Sequence, residues 1–299
     1  MKRIIFTFSI VLLGYLTTTA QIKVVTTLTD LKYITEAVGG NKVEVFAIAT
    51  GYQNPHFVDP KPSYILKLSK ADLFVTVGLD LETGWVPPLL NSARNPKILK
   101  GNEGYVDASE SVPLLQVPSN VNRGEGDIHI YGNPHYWLDP SNGKIIAQNI
   151  VRSLIKADPS NKDFYTANLK KFNDQIDLKM KEWDSKFAAF KGTKIIAYHN
   201  EWVYFEHRFG LQIVDFLEPK PGIPPTPSQL AKVIGEIKSN QIKVIISSPY
   251  FTAESAELVA RNSGAKVVIL GTSVSAFKEI STYFDLFDYN LNQLISALK

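Results

Sequence analysis

Five histidines are the residues best suited to chemistry here: His56, His129, His135, His199 and His207. An imidazole can ligate a transition metal or move a proton near neutral pH. Two of the five stand in matching contexts, Asn54-Pro55-His56-Phe57-Val58-Asp59-Pro60 and Asn133-Pro134-His135-Tyr136-Trp137-Leu138-Asp139-Pro140. Each is an Asn-Pro turn, a histidine, aromatic cover, and an Asp-Pro pair able to open a following helix. A proline fixes the backbone just before each ring, which suits a side chain that must be held at an angle. Such dipeptides also punctuate ordinary turns, and it is their repetition that favours a shared role. His199 follows the apolar run Lys194 to Tyr198 and opens the helical run Glu201 to Phe209, so it stands beyond the carboxyl end of a strand, where open α/β sheets gather their ligands. His56, His135 and His199 are separated by 79 and 64 residues. No local motif such as HExxH joins them, and only a fold can bring them together. His207, eight residues beyond His199, reads as structural.

The elements that must position these rings alternate short β-rich runs with helical ones, the pattern of sheets covered by helices. Strands are expected at Ile22 to Thr26, Val43 to Ala49 and Leu73 to Val77. Between them come a helix that Asp30 can cap and that runs to Val38, and another at Ser63 to Ala71. The second half repeats the theme with strands at Lys194 to Tyr198, Leu211 to Phe216, Val244 to Ser247 and Lys266 to Leu270. Between the halves, from Ser160 to Ala189, Phe172, Ile176, Met180, Trp183 and Phe187 recur at helical spacing, which predicts one long helix with a single apolar face. The fold class is therefore α/β, with two lobes. The expected divisions are 1–20, 21–158 for the first lobe, 159–190 for the connecting helix and 191–299 for the second lobe.

The composition of the 299-residue chain, 44% hydrophobic and 20% charged, is that of a globular protein. The first twenty residues combine Lys2 and Arg3, an apolar run from Ile4 to Leu16 and a small-residue ending at Ala20, which reads as a secretory signal removed after Ala20. The apolar run is shorter than a spanning helix needs. Without those residues the chain holds 30 basic and 29 acidic side chains, a net charge of +1. That balance, with no basic run, excludes a strongly basic binder of nucleic acid or of an anionic membrane surface. Cysteine is absent, so there is no disulfide framework, no thiolate nucleophile and no cysteine to carry a lipid after the signal. The expected product is a soluble periplasmic protein.

The residues resemble the zinc- and manganese-binding solute receptors of ABC uptake transporters. The matching segments run in order through nearly all of the chain after the signal. They include Pro55-His56, Ala71-Asp72-Leu73-Phe74-Val75 with Gly78, and Asn133 to Pro140. Further on come Tyr198-His199-Asn200-Glu201-Trp202, Arg208-Phe209-Gly210 and Glu218-Pro219-Lys220-Pro221-Gly222. The resemblance implies two α/β lobes joined by one long helix, a metal site in the cleft between them, a membrane permease as partner, a monomer, and no enzymatic activity. It also implies that His56 and His135 are ligands from the first lobe and His199 the ligand from the second.

That family commonly adds an aspartate after the last strand of the second lobe, but Leu270-Gly271-Thr272-Ser273-Val274-Ser275 offers no carboxylate here. Water, Glu201, Asp59 or His129 could fill the fourth place. Three neutral imidazoles suit zinc, and would also take copper or nickel, whereas manganese prefers carboxylate oxygens. Zinc is therefore the expected ion and manganese the alternative. Asp59 and Asp139 could accept an imidazole N–H and set its tautomer, or simply cap the helices that follow them. The competing class is a three-histidine zinc hydrolase with Glu201 as general base, and a metal-buffering or adhesion protein would share the same site.

Overall fold

The computed structural model describes residues 21–119 and 129–299; the expected signal, residues 1–20, and residues 120–128 lie outside that range. The first lobe contains strands β1 (Ile22–Thr26), β2 (Val43–Ala47), β3 (Leu73–Thr76) and β4 (Tyr105–Asp107), with helices α1 (Thr29–Gly39), α2 (Pro62–Leu68), α3 (Val86–Ala93) and α4 (Pro140–Ala157). Helix α5 (Lys162–Phe187) leads into the second lobe. There, strands β5 (Lys194–Ala197), β6 (Gln212–Phe216), β7 (Val244–Ser247) and β8 (Lys266–Ile269) alternate with helices α6 (Val203–Phe209), α7 (Pro227–Asn240), α8 (Ala253–Ser263) and α9 (Tyr283–Leu298). Both sheets are wholly parallel, in the orders β2-β1-β3-β4 and β6-β5-β7-β8. The two lobes are thus copies of one topology, each with a reversal of strand order beside its first strand, which opens a crevice at the carboxyl ends.

The strands are short and β-branched because both their faces are covered. In the second sheet the alternation is sharp. Ile195, Ala197, Val244 and Ile246 join a core that continues into the first lobe, while Ile196, Tyr198 and Ile245 face a separate core under α7 and α8. Helix α5 has 26 residues, about 39 Å at 1.5 Å per residue. Its buried face carries Phe172, Ile176, Trp183 and Phe187. It packs on α1, α4 and α9, and Trp183 Nε1 donates to Asp288 on α9 at 2.7 Å. The chain therefore returns from the second lobe to brace the connecting helix. Because one apolar core passes through both lobes, moving them apart would expose it, and the cleft is built to be held in shape.

Two elements escaped the sequence patterns. Strand β4 is only three residues long, and α3 begins Val86-Pro87-Pro88, where prolines occupy the first turn and so need no amide hydrogen. One assignment is corrected. Asp30 does not cap α1, whose N-cap is Leu28. It lies fully buried in the first turn, and its Oδ1 accepts the Val274 amide from across the cleft at 3.0 Å. Thr29 Oγ1 donates to Val274 O at 2.6 Å, and Trp137 Nε1 to Thr272 O at 2.8 Å. The segment where a carboxylate was missing is thus used to join the lobes. Gly51 lies beneath it, where a Cβ would fall 2.1 Å from Val274 O.

Candidate metal centre

His56 sits in the loop leaving β2. Asn54 Oδ1 accepts the His56 amide at 3.0 Å, and Pro55 O accepts the buried Trp85 indole at 3.0 Å. His135 repeats the device: Asn133 Oδ1 accepts its amide at 3.1 Å. The Asn-Pro-His sequence is therefore an Asx turn, in which the asparagine replaces a backbone acceptor and sets the direction of the histidine. Asn133 does more than Asn54. Its Oδ1 also lies 3.0 Å from His135 Nδ1, and its Nδ2 donates to Asn200 O of the second lobe at 2.8 Å. With Nδ1–H donated, the His135 Nε2 lone pair points into the cleft.

His199 lies two residues beyond β5. Its Nδ1 is 2.6 Å from Glu218 Oε2, and both side chains are buried. Glu218 follows β6, the strand beside β5. Its amide donates to Tyr198 O at 3.1 Å, and Oε2 also accepts the Gly222 amide at 3.2 Å. This carboxylate fixes the tautomer of His199, with Nδ1–H donated and Nε2 as the nitrogen suited to ligate a metal. A cavity of about 340 Å³, walled in part by Phe57, Tyr198 and Phe251, opens beside His56 and His199.

The three rings meet. Their ligand nitrogens all lie within 4.8 Å of one another, and His56 Nε2 is 3.2 Å from His135 Nε2. Two nitrogens bound to one zinc at about 2.0–2.1 Å with a tetrahedral angle would be about 3.3 Å apart, so this pair already has the required bite. Burial holds the His56 and His135 pKa values well below 6.5, and the neighbouring imidazoles push in the same direction. Both rings are then neutral at pH 7 with lone pairs available.

The remaining candidates separate clearly. Asp59 is exposed and caps nothing, since α2 has Lys61 as its N-cap. Asp139 is the N-cap of α4, accepting the Ser141 amide at 2.8 Å. Of the two roles open to these aspartates, Asp139 takes the helix cap and Asp59 neither, while Asn133 and Glu218 orient His135 and His199. Glu218 reaches His199 because it follows β6, the strand paired with β5. Glu201 is fully buried with its two oxygens accepting from the Ser248 and Tyr250 hydroxyls. Burial raises its pKa, partly offset by His199 and those hydroxyls. His207 is exposed on α6, away from the cluster. His129, by contrast, stands with its ring centroid 5.0 Å from that of His56.

Comparison with known proteins agrees with this architecture. The family model for the zinc-uptake complex component A, periplasmic (ZnuA), matches residues 24–297. The manganese ABC transporter substrate-binding lipoprotein PsaA of Streptococcus anginosus is 27% identical over 286 residues, covering 93% of this chain and 89% of that protein. The iron ABC transporter substrate-binding lipoprotein MtsA of Streptococcus pyogenes serotype M1 is 28% identical over 291 residues, covering 93% and 89%. A crystal structure of ZnuA superposes with a TM-score of 0.78 at 24% identity, covering 93% of this chain and all of the other. A Mn-bound periplasmic metal binding protein from Candidatus Liberibacter asiaticus gives 0.77 at 21%, with the same coverage. The chain belongs to the ZnuA family, whose members are substrate-binding receptors of metal ABC transporters and not enzymes.

Proposed function

We propose that this protein is an exported, periplasmic receptor that captures zinc between its lobes and presents it to a membrane permease for uptake. The first lobe, 21–158, supplies His56 and His135, the second, 191–299, supplies His199, and the helix within 159–190 holds the two in register. The observation that carries the reading is the convergence of three imidazole nitrogens within 4.8 Å. Relatives are named for manganese and iron, but this donor set is nitrogen throughout, and the last loop of the second lobe brings no carboxylate. That chemistry favours zinc over manganese. A nanomolar receptor needs about 12 kcal/mol of binding free energy, which bonds formed in a preset cleft can supply without large lobe closure. The protein acts as a monomer.

Competition titration with a zinc chelator tests this. One tight site is expected, and His56→Ala, His135→Ala and His199→Ala should each weaken it by at least about a hundredfold, more than the loss of an outer partner costs. Unchanged affinity in all three variants would remove the proposal. Acid should release the ion, because protons compete for imidazole nitrogens. The depressed pKa values of His56 and His135 extend retention below the reference imidazole value of about 6.5.

A further inference from the structure

Resting on the zinc reading, we infer that His129 is the fourth ligand, so that the ion is held by four imidazoles, three from the first lobe and one from the second. Rings on one tetrahedral zinc, bonded at about 2.0–2.1 Å, have centroids about 5 Å apart. The proposed trio gives 5.1, 5.7 and 5.9 Å for His56–His135, His56–His199 and His135–His199. His129 lies 5.0 Å from His56 and 6.4 Å from His135. It is as near to His56 as any member of the trio, and further from His135 than they are.

In His135, His199 and His129 one ring nitrogen is taken by a protein acceptor. His135 gives its outer nitrogen to Asn133, and His199 gives its own to Glu218. In His129 a ring N–H donates to the backbone carbonyl of Leu79. Leu79 and Asp80 both have positive φ, 52° and 64°, a conformation that side chains other than glycine adopt only where surrounding structure imposes it. The tight turn after β3 thus offers an acceptor to His129, and the ring is left with one lone pair for a metal.

The alternatives named from the sequence are less well placed. Asp59 is exposed on the surface, and Glu201 is engaged by two hydroxyls within the second lobe. A fourth nitrogen in place of an oxygen also bears on selectivity, since it moves the site further from hard cations such as manganese and towards zinc.

Cobalt(II) and zinc binding to the exported protein and its variants test the inference. The wild type should show the intense visible bands of tetrahedral cobalt. His129→Ala should lose that intensity and weaken zinc by at least about tenfold, while His129→Asp should raise the manganese-to-zinc affinity ratio. Thermal melting of the metal-free variants, expected to match the wild type, shows that they fold. An unchanged cobalt spectrum and zinc affinity in His129→Ala, or an unchanged metal ratio in His129→Asp, would overturn the assignment. The trio reading would survive either result, because it fails only if the His56, His135 and His199 variants bind normally.

Discussion

The two lobes share one strand order but hold their histidines by different means. In the first lobe His56 and His135 are each aimed by a near neighbour, Asn54 and Asn133, within three residues of chain. In the second lobe His199 depends on Glu218, 19 residues away on the end of the adjacent strand. The first arrangement survives wherever the motif folds locally. The second exists only when β5 and β6 are paired in register. The last loop of the second lobe carries the contrast further: instead of a ligand it contributes backbone groups to Asp30, Thr29 and Trp137 of the first lobe.

The largest expected effect lies at that junction. Burial raises the Asp30 pKa from 3.8 to about 7, partly offset by Ser273 and the Val274 amide. A carboxyl whose pKa rises on folding favours the folded state when protonated. Its contribution is complete below about pH 4 and lost as pH rises through about 7. Asp30→Asn removes this dependence, so the variant should gain on the wild type by up to about 4 kcal/mol across that interval, at about 1.36 kcal/mol per unit. Urea unfolding midpoints at pH 4.5 and pH 8 measure it, and parallel shifts at both would contradict the buried-acid account.

Glu218→Ala should come next, lowering zinc affinity by about 10- to 100-fold while all the proposed ligands remain. Chelator competition reads it, and an effect below twofold would show that the long-range partner is dispensable. Asn133→Ala should cost about tenfold, since it removes both the turn acceptor and the partner of His135 Nδ1. Asn54→Ala removes only an amide acceptor, and on the scale of one hydrogen bond, about 1 kcal/mol, it should cost the least, roughly fivefold. If Asn54→Ala proved the more damaging, the distinction between the two turns would be wrong. Dissociation rates for the pair give the finest comparison, because both variants keep every proposed ligand.

Much of this was legible in the chain. The strands at Val244–Ser247 and Ile22–Thr26 end where their apolar runs end, and the face of α5 follows from its helical spacing. Strand β4 was not legible, because three residues cannot establish a period of two, and α3 was hidden by its prolines. The aspartates after His56 and His135 left two roles open: an Asp before proline satisfies either a helix end or an imidazole, and local sequence does not choose between them; Asp139 takes the helix end.

Sequence alone determined the alternation of strand and helix, the absence of cysteine, and the turns that aim His56 and His135, since all of these depend on groups a few bonds apart. Tertiary structure decided which carboxylate orients His199, that Asp30 is a buried brace rather than a cap, and that nitrogens 79 and 64 residues apart share one cleft. Those outcomes depend on strand order and on the core that passes between the lobes. Distances between groups so far apart along a chain are set by packing, which no short window of residues encodes.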